Sequence, residues 1–174
     1  PASEDPDRAR ELASELMADE KNRAAHEHVV HFMREVLGRI CHDVRIPREP
    51  QILSLRHVQH LHTPVSAKVL EGVNLPELVG DLHPTPAVAG TPVGEAKMLI
   101  RQIESYNRGF FAGACGYIDG AGDGAFSVGL RTGVFDGEGG WVYAGCGIVE
   151  GSVADDEFDE IDMKLKTILS AFGE

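Results

Sequence analysis

The chain is short of basic residues and has no long apolar run. Its 16 lysines and arginines stand against 28 acidic residues, which gives a formal net charge of -12. Because nucleic-acid backbones and anionic membranes attract Lys and Arg, this balance argues against either as the main partner. No apolar stretch approaches the roughly 18 residues of a membrane-spanning helix, so we expect no membrane span.

Cysteine is also scarce, and no C-x-x-C pair is present. Cys41, Cys115 and Cys146 are odd in number, which argues against a disulfide scaffold and a zinc knuckle. A reducing cytoplasm fits this usage, and no secretory signal opens the sequence, so we expect a cytoplasmic protein. The first residue is Pro1, so we expect either removal of an earlier segment or a piece of a longer protein.

The length suits a single domain with a sizeable core. Residues 1–6 are polar and predict a linker, which leaves 7–174 as the domain. Apolar residues at helical spacing predict the main helices over 7–18, 21–41, 95–106 and 154–172. The third of these is expected to turn Leu99, Ile103 and Tyr106 inward.

The remaining pattern is that of strands and turns. We predict β structure over 51–61 and a meander whose strands cover 112–119, 125–134 and 141–148. Helices together with a meander of strands joined by short turns indicate an α+β class. We therefore expect an antiparallel β-sheet core with packing helices.

A glycine turn near the end of the meander is the first candidate site. Gly145 and Gly147 flank Cys146 in the segment WVYAGCGIVEG. Glycines let backbone N–H groups approach an anion, and the following helix start adds the positive end of its dipole. On this pattern the glycines either bind an anion or serve only a tight turn. Their spacing does not match a dinucleotide fingerprint.

The predicted last helix carries Glu157, Glu160 and Lys164 on one stripe, because they are three and four residues apart. The two carboxylates can hold a cation, and the lysine can bind a carboxylate. The alternative is that the glutamates are solvated charges near a helix start, where the dipole favours them.

Two strand residues, Arg131 and His60, are further candidates. Arg131 is predicted on a mostly buried strand, where a guanidinium needs an anion. That anion is either a ligand carboxylate or an internal ion-pair partner. His60 lies on or beside a strand, and alternation places it on the same face as His62, where an active-site histidine is one interpretation.

Seven segments, taken in order, resemble the C-terminal part of the chorismate-utilising enzymes, and most of all the isochorismate synthases. They are KNRAAHEHVV, VQHLHTP, LHPTPAVAGTP, RGFFAGACGYID, GAFSVGLR, YAGCGIV and EFDEIDMKL. The resemblance implies half of the chorismate-binding (anthranilate synthase component I-like) fold. It also implies chorismate as a partner, and a missing N-terminal half as another.

The resemblance further implies a set of site residues. Those that would bind or line the substrate are His60, Ala87, Phe111, Arg131, Gly145, Cys146, Gly147 and Lys164. Lys164 and the amides of the glycine turn would face one carboxylate of chorismate, and Arg131 would bind the other. Glu160, with Glu157 beside it, would hold Mg²⁺, an ion that prefers carboxylate oxygens and water.

Ala87 in HPTPAVAG favours isochorismate synthase, because the anthranilate and salicylate synthases resemble one another in having threonine there. The implied reaction adds water at C2 of chorismate and releases hydroxide from C4, which requires a base and an acid. The product would feed siderophore or menaquinone synthesis. The alternatives are a non-catalytic chorismate-binding half-domain or remnant, and a salicylate or anthranilate synthase.

The chain departs from the family pattern in two ways. The catalytic lysine base and glutamate acid belong to an N-terminal part without a counterpart here, so we expect no catalytic residue and no activity from this chain alone. The K-D-x-x-E-H motif appears as KNRAAH, with Ala25 in place of a metal-binding glutamate.

We therefore expect weak or absent Mg²⁺ binding by this chain alone. Ala25→Glu should raise its affinity for Mg²⁺, because it restores a carboxylate at the motif position. Titration calorimetry measures the change. Equal affinities of the two proteins would contradict the alignment of this helix with the family motif.

Overall fold

The computed structural model describes residues 2–3, 5–55 and 58–172. Its helices and antiparallel strands confirm the predicted α+β class. The chain divides into a first unit, Pro1–Asn74 with Thr85–Ala87, and a second unit, Leu75–Pro84 with Val88–Glu174. None of the helices in the described ranges combines the length and apolarity needed to cross a bilayer.

The elements alternate between helical and strand-rich segments. The helices are α1 (Pro6–Ala18), α2 (Glu20–Ile40), α3 (Leu75–Leu82), α4 (Pro86–Ala89), α5 (Val93–Ile103) and α6 (Ala154–Leu169), with a 3-10 turn at Ser170–Phe172. The strands are β1 (Cys41–Arg45), β2 (Gln51–Ser54), β3 (Gln59–His62), β4 (Ser66–Val69), β5 (Ala114–Ile118), β6 (Gly124–Val128), β7 (Thr132–Phe135) and β8 (Gly140–Tyr143). They pair antiparallel as β1–β4, β2–β3, β5–β6 and β7–β8.

The first unit is organised by its two capped helices. Asp5 accepts hydrogen bonds from the first-turn amides of α1, so the helix begins at Pro6, a residue that the sequence assigns to a linker. Asp19 caps α2 by accepting from the Asn22 amide at 2.9 Å. The buried apolar side chains of this unit are Val30, Val36, Leu37 and Cys41.

His26 on α2 has its Nε2 atom 2.8 Å from Oγ1 of Thr63. Burial lowers the pKa of His26 below its ordinary 6.5, and the neighbouring His62 lowers it further, whereas Glu27 raises it. The folded chain therefore favours the neutral ring. The neutral ring therefore contributes to the free energy of unfolding. This contribution is present above pH 6.5 and is lost as the pH falls through the lowered pKa.

We expect the free energy of unfolding to fall on acidification below pH 6.5, and His26→Gln to remove that part of the fall. Urea unfolding on either side of this pH measures it. His28→Gln, an exposed histidine of the same helix, serves as the control. An unchanged pH dependence in His26→Gln would contradict the assignment.

In the second unit, the predicted strand over 125–134 is wrong, because the chain turns at residues 129–131. The Ala112 amide donates to the Gly129 carbonyl and the Gly129 amide donates to the Gly113 carbonyl, both at 2.8 Å. These bonds end β6, and Arg131 follows with a φ of 51° before β7 begins. The strand predicted over 141–148 likewise ends at Tyr143.

The predicted inward face of α5 is also wrong. Leu99 is 55% exposed and Ile103 is 71% exposed, and Tyr106 beyond the helix end is exposed as well. The half-buried residues of α5 are instead Val93, Ala96 and Ile100, which lie on a different stripe of the helix.

Candidate functional site

The Gly145–Gly147 turn leaves β8 at Tyr143 and runs without strand pairing toward α6. Among the described residues, no protein group accepts a hydrogen bond from the amides of Gly145, Cys146 or Gly147. A tight turn that served structure alone would use such donors internally. These amides are therefore available to donate hydrogen bonds to a ligand.

Lys164 joins this turn to α6. Its Nζ donates to the Gly145 carbonyl oxygen at 2.9 Å and forms an ion pair with Glu160, one helical turn earlier. The stripe expected from the spacing is thus present, and the lysine is the more buried of the pair. Direct contacts thus connect the turn, the Lys164 ammonium group and the Glu160 carboxylate.

Cys146 faces the same helix, where its thiol is hydrogen-bonded to Glu157. Burial raises the pKa of Cys146 above its ordinary 9.0, and Glu157 and the charge of Glu160 raise it further, against an opposing effect of Lys164. The thiol therefore stays protonated near neutral pH. Both glutamates of the predicted metal site have partners on this turn or on Lys164.

We expect Cys146 to react with iodoacetamide more slowly than the exposed Cys115, because the thiolate is the reactive form. Peptide mass spectrometry after timed alkylation at neutral pH measures both rates in one sample. Glu157→Gln removes the negative charge beside the thiol and should accelerate the reaction of Cys146 alone. Equal rates at the two cysteines in the unmodified sequence would contradict the raised pKa.

Phe111, which the resemblance implies as a residue that lines the substrate site, lies beside the turn. It is 8% exposed and stacks on Tyr143, with ring centroids 5.6 Å apart and an interplanar angle of 13°. A Cβ atom at position 145 would lie 3.4 Å from Cζ of the Phe111 ring. This is an ordinary van der Waals distance, so the ring and the turn are neighbours.

Arg108 and Glu104 support Phe111 from the end of α5, and the sequence analysis missed both. The guanidinium donates from Nε to Oε2 of Glu104 at 2.7 Å and from Nη2 to Oε1 at 2.5 Å. Its central carbon lies 5.6 Å from the Phe111 ring centroid. Arg108 lies in the loop beyond the end of α5, so helical spacing does not predict this pair.

Arg131 is a turn residue and not a strand residue, so its predicted setting in a buried sheet is wrong. It is exposed, and in the described part of the chain its side chain has no ion pair or hydrogen bond. An internal ion pair therefore does not account for it. The register pairs Thr132 with Tyr143, so Arg131 and the Gly145–Gly147 turn leave the β7–β8 hairpin at the same end.

His60 and Ala87 lie in the first unit, whereas the residues above belong to the second. His60 is on β3, where it pairs with Leu53 of β2. Ala87 is exposed in the short helix α4. The connected group that the structure describes is therefore made by Phe111, Gly145, Cys146, Glu157, Glu160 and Lys164.

The donor atoms of α6 fit part of a Mg²⁺ site. In the described ranges, no three His, Cys, Asp or Glu side chains lie close enough together to hold a metal ion. Glu157 and Glu160 are one turn apart, and Mg²⁺ is commonly held by one or two carboxylates with water and ligand oxygens completing the shell. The pair has suitable chemistry for this ion but supplies only part of its ligands.

Two cavities of the second unit lie beside this group, and Phe111 lines one of them. One of about 730 Å³ is lined by α5 and the following loop, including Arg101, Arg108 and Phe111. Another of about 570 Å³ is lined by Trp141, Tyr143 and neighbouring residues. Neither of these two linings includes Gly145, Glu160 or Lys164.

The sequence model of the chorismate binding enzyme family matches residues 1–173. The chain belongs to this family. Isochorismate synthase MenF of Bacillus subtilis is 38% identical over 164 residues, which are 94% of this chain and 35% of that protein. Isochorismate synthase DhbC of the same organism is 35% identical and is matched over 44% of its length by 99% of this chain.

Solved structures of chorismate binding enzymes share the fold. MenF, the menaquinone-specific isochorismate synthase from Escherichia coli, has a TM-score of 0.87 at 33% identity, over 96% of this chain and 38% of that one. Anthranilate synthase component I from Streptococcus pneumoniae has a TM-score of 0.86 at 30% identity, over 93% and 38%. The predicted resemblance and half-fold are confirmed, and the chain spans less than half the length of these relatives.

Proposed function

We propose that this chain is part of a Mg²⁺-dependent isochorismate synthase, which converts chorismate into isochorismate. The observation that carries the proposal is the Gly145–Gly147 turn, whose amides have no protein acceptor in the described chain and which Lys164 joins to Glu160. Arg131 leaves the adjoining hairpin at the same end. Two groups that bind anions suit a dicarboxylate, and the relatives named isochorismate synthase support the reaction.

Each group has a defined role in this proposal. The turn amides and the Lys164 ammonium bind one carboxylate, because backbone N–H groups and a cation both favour an anion. Arg131 binds the other carboxylate in two bonds through its planar guanidinium. Glu160 and Glu157 hold Mg²⁺, which when bound neutralises charge on the substrate carboxylate. Phe111 lies beside the turn and supports its position.

In this proposal, groups outside this chain carry out the proton transfers. Adding water at C2 requires a base, and releasing hydroxide from C4 requires an acid. We assign both to the portion of the relatives that this chain does not span, whether it is carried on a longer form of the protein or on a partner chain. A cytoplasmic location belongs to the same proposal, and the three free thiols are compatible with a reducing compartment.

One observation favours a second candidate, a non-catalytic chorismate-binding half-domain. Ala25 stands in the motif where the resemblance implies a metal-binding glutamate, and the described residues contain no cluster of three metal ligands. Such a protein would bind chorismate without converting it.

Incubation of the full-length protein with chorismate and Mg²⁺, followed by chromatography and ultraviolet spectra, tests the proposal. We expect isochorismate as the product, and none when Mg²⁺ is removed by a chelator. Salicylate, or anthranilate in the presence of an ammonia source, would assign the chain to another branch of the family. Saturable binding with unchanged chorismate would favour the half-domain.

A further inference from the structure

We propose that Arg108 is a positioning residue for the anion-binding turn, which it holds in place through the ring of Phe111. Glu104 fixes the guanidinium, the guanidinium lies over the ring, and the ring lies against the backbone of Gly145. The inference rests on the proposed function, because it assigns to Arg108 a role at the chorismate site. Arg108 itself makes its side-chain hydrogen bonds to Glu104, away from that site.

The Glu104–Arg108 pair is rigid for a pair near a surface. It is bidentate, with N–O distances of 2.7 and 2.5 Å, and the arginine and glutamate side chains are only 27% and 22% exposed. Two parallel bonds fix the plane of the guanidinium, whereas a single exposed contact would leave it mobile. Glu104 is also the C-cap residue of α5, so the pair is attached to the end of a helix.

The Phe111 ring has a partner in Arg108 and another in Tyr143. The Arg108 guanidinium carbon lies 5.6 Å from the ring centroid, and Tyr143 stacks on the ring at the same centroid distance. The Phe111 amide also donates to the Arg108 carbonyl at 2.8 Å, which closes the loop between them. Cation–π contact, stacking and this hydrogen bond together restrict the ring to one position.

The ring position is transmitted to the turn through Tyr143, the last residue of β8, on which the ring stacks and from which the chain continues to Gly145. The ring also lies close to the turn, because a Cβ atom at Gly145 would be at an ordinary van der Waals distance, 3.4 Å, from Cζ of Phe111, and the Gly145 carbonyl accepts from Lys164 at 2.9 Å. A ring that loses its guanidinium partner is free to shift toward this backbone. Such a shift would displace the Gly145 carbonyl and the lysine that it holds.

The test follows the backbone amides of Gly145 and Gly147 by NMR in ¹⁵N-labelled chain, without ligand and during titration with chorismate. We expect Arg108→Ala to move the Gly145 amide resonance before ligand is added and to raise the dissociation constant about tenfold. Arg108→Lys keeps the positive charge but loses the two parallel hydrogen bonds of the guanidinium. Its dissociation constant should therefore lie between those of the unmodified chain and of Arg108→Ala. Arg101→Ala removes an arginine from the same cavity lining without an ion pair and should match the unmodified sequence.

An Arg108→Ala chain whose Gly145 resonance and dissociation constant are both unchanged would overturn the inference. A shared loss of affinity in Arg101→Ala would do the same, because it would indicate a general charge effect. If Arg108→Ala does not fold, the Gly145 and Gly147 amide resonances are measured in Arg108→Lys and Glu104→Gln instead. If the unmodified chain binds no chorismate, the proposed function fails, while the ligand-free Gly145 resonance still decides the role of Arg108.

Discussion

Replacing Arg131 with alanine is expected to weaken chorismate binding by about one to two orders of magnitude, because a hydrogen bond to a charged group contributes about 1.5–3 kcal/mol. In the described chain the guanidinium has no partner of its own, so the substitution removes no internal contact. Calorimetric titration of both proteins with chorismate measures the difference. An unchanged dissociation constant would remove Arg131 from the binding site.

The backbone of Arg131 provides a control that separates binding from folding. Its φ of 51° lies in the left-handed region, which costs a non-glycine residue free energy. Arg131→Gly removes the same charge and relieves that cost, so it should lose affinity as Arg131→Ala does without losing stability. A strained backbone conformation at an arginine without an ion-pair partner in the described chain fits a side chain that binds a ligand.

Glu160→Gln is expected to abolish Mg²⁺-dependent turnover in the full-length protein. The substitution replaces a carboxylate with a neutral amide, which binds Mg²⁺ poorly, and it also removes the ion pair with Lys164. Isochorismate formation over a range of Mg²⁺ concentrations measures the effect.

Asp162→Asn is the matched control for Glu160→Gln. It removes one negative charge from the same helix, at an exposed position two residues away that points to a different side. Turnover should be retained in this variant. Wild-type turnover in Glu160→Gln would exclude Glu160 from the metal site, and an equal loss in Asp162→Asn would indicate a general effect of charge.

Features set by local spacing could be predicted from the sequence. Helix α2 covers Glu20–Ile40 where spacing predicts 21–41, and its apolar residues Val36 and Leu37 are buried. Glu160 and Lys164 meet because residues four apart on a helix are neighbours. The rule does not apply to Glu104 and Arg108, because α5 ends at Ile103 and Arg108 lies in the loop that follows.

Features set by distant contacts could not be predicted. The break in the strand at Gly129 depends on hydrogen bonds to Ala112 and Gly113, which no local pattern reveals. The half-buried stripe of α5 is formed by Ala96 and Ile100 and not by the predicted Leu99 and Ile103, because the buried face depends on which neighbours pack against it. The proximity of Phe111 and Gly145 likewise joins residues far apart in sequence.

A structure of the chain with bound chorismate tests the central claim most directly. We expect one carboxylate of the ligand within hydrogen-bonding distance of the Gly145 and Gly147 amides and of Lys164, and the other within reach of Arg131. Chorismate bound elsewhere on the chain, or with neither carboxylate at the turn, would contradict the account.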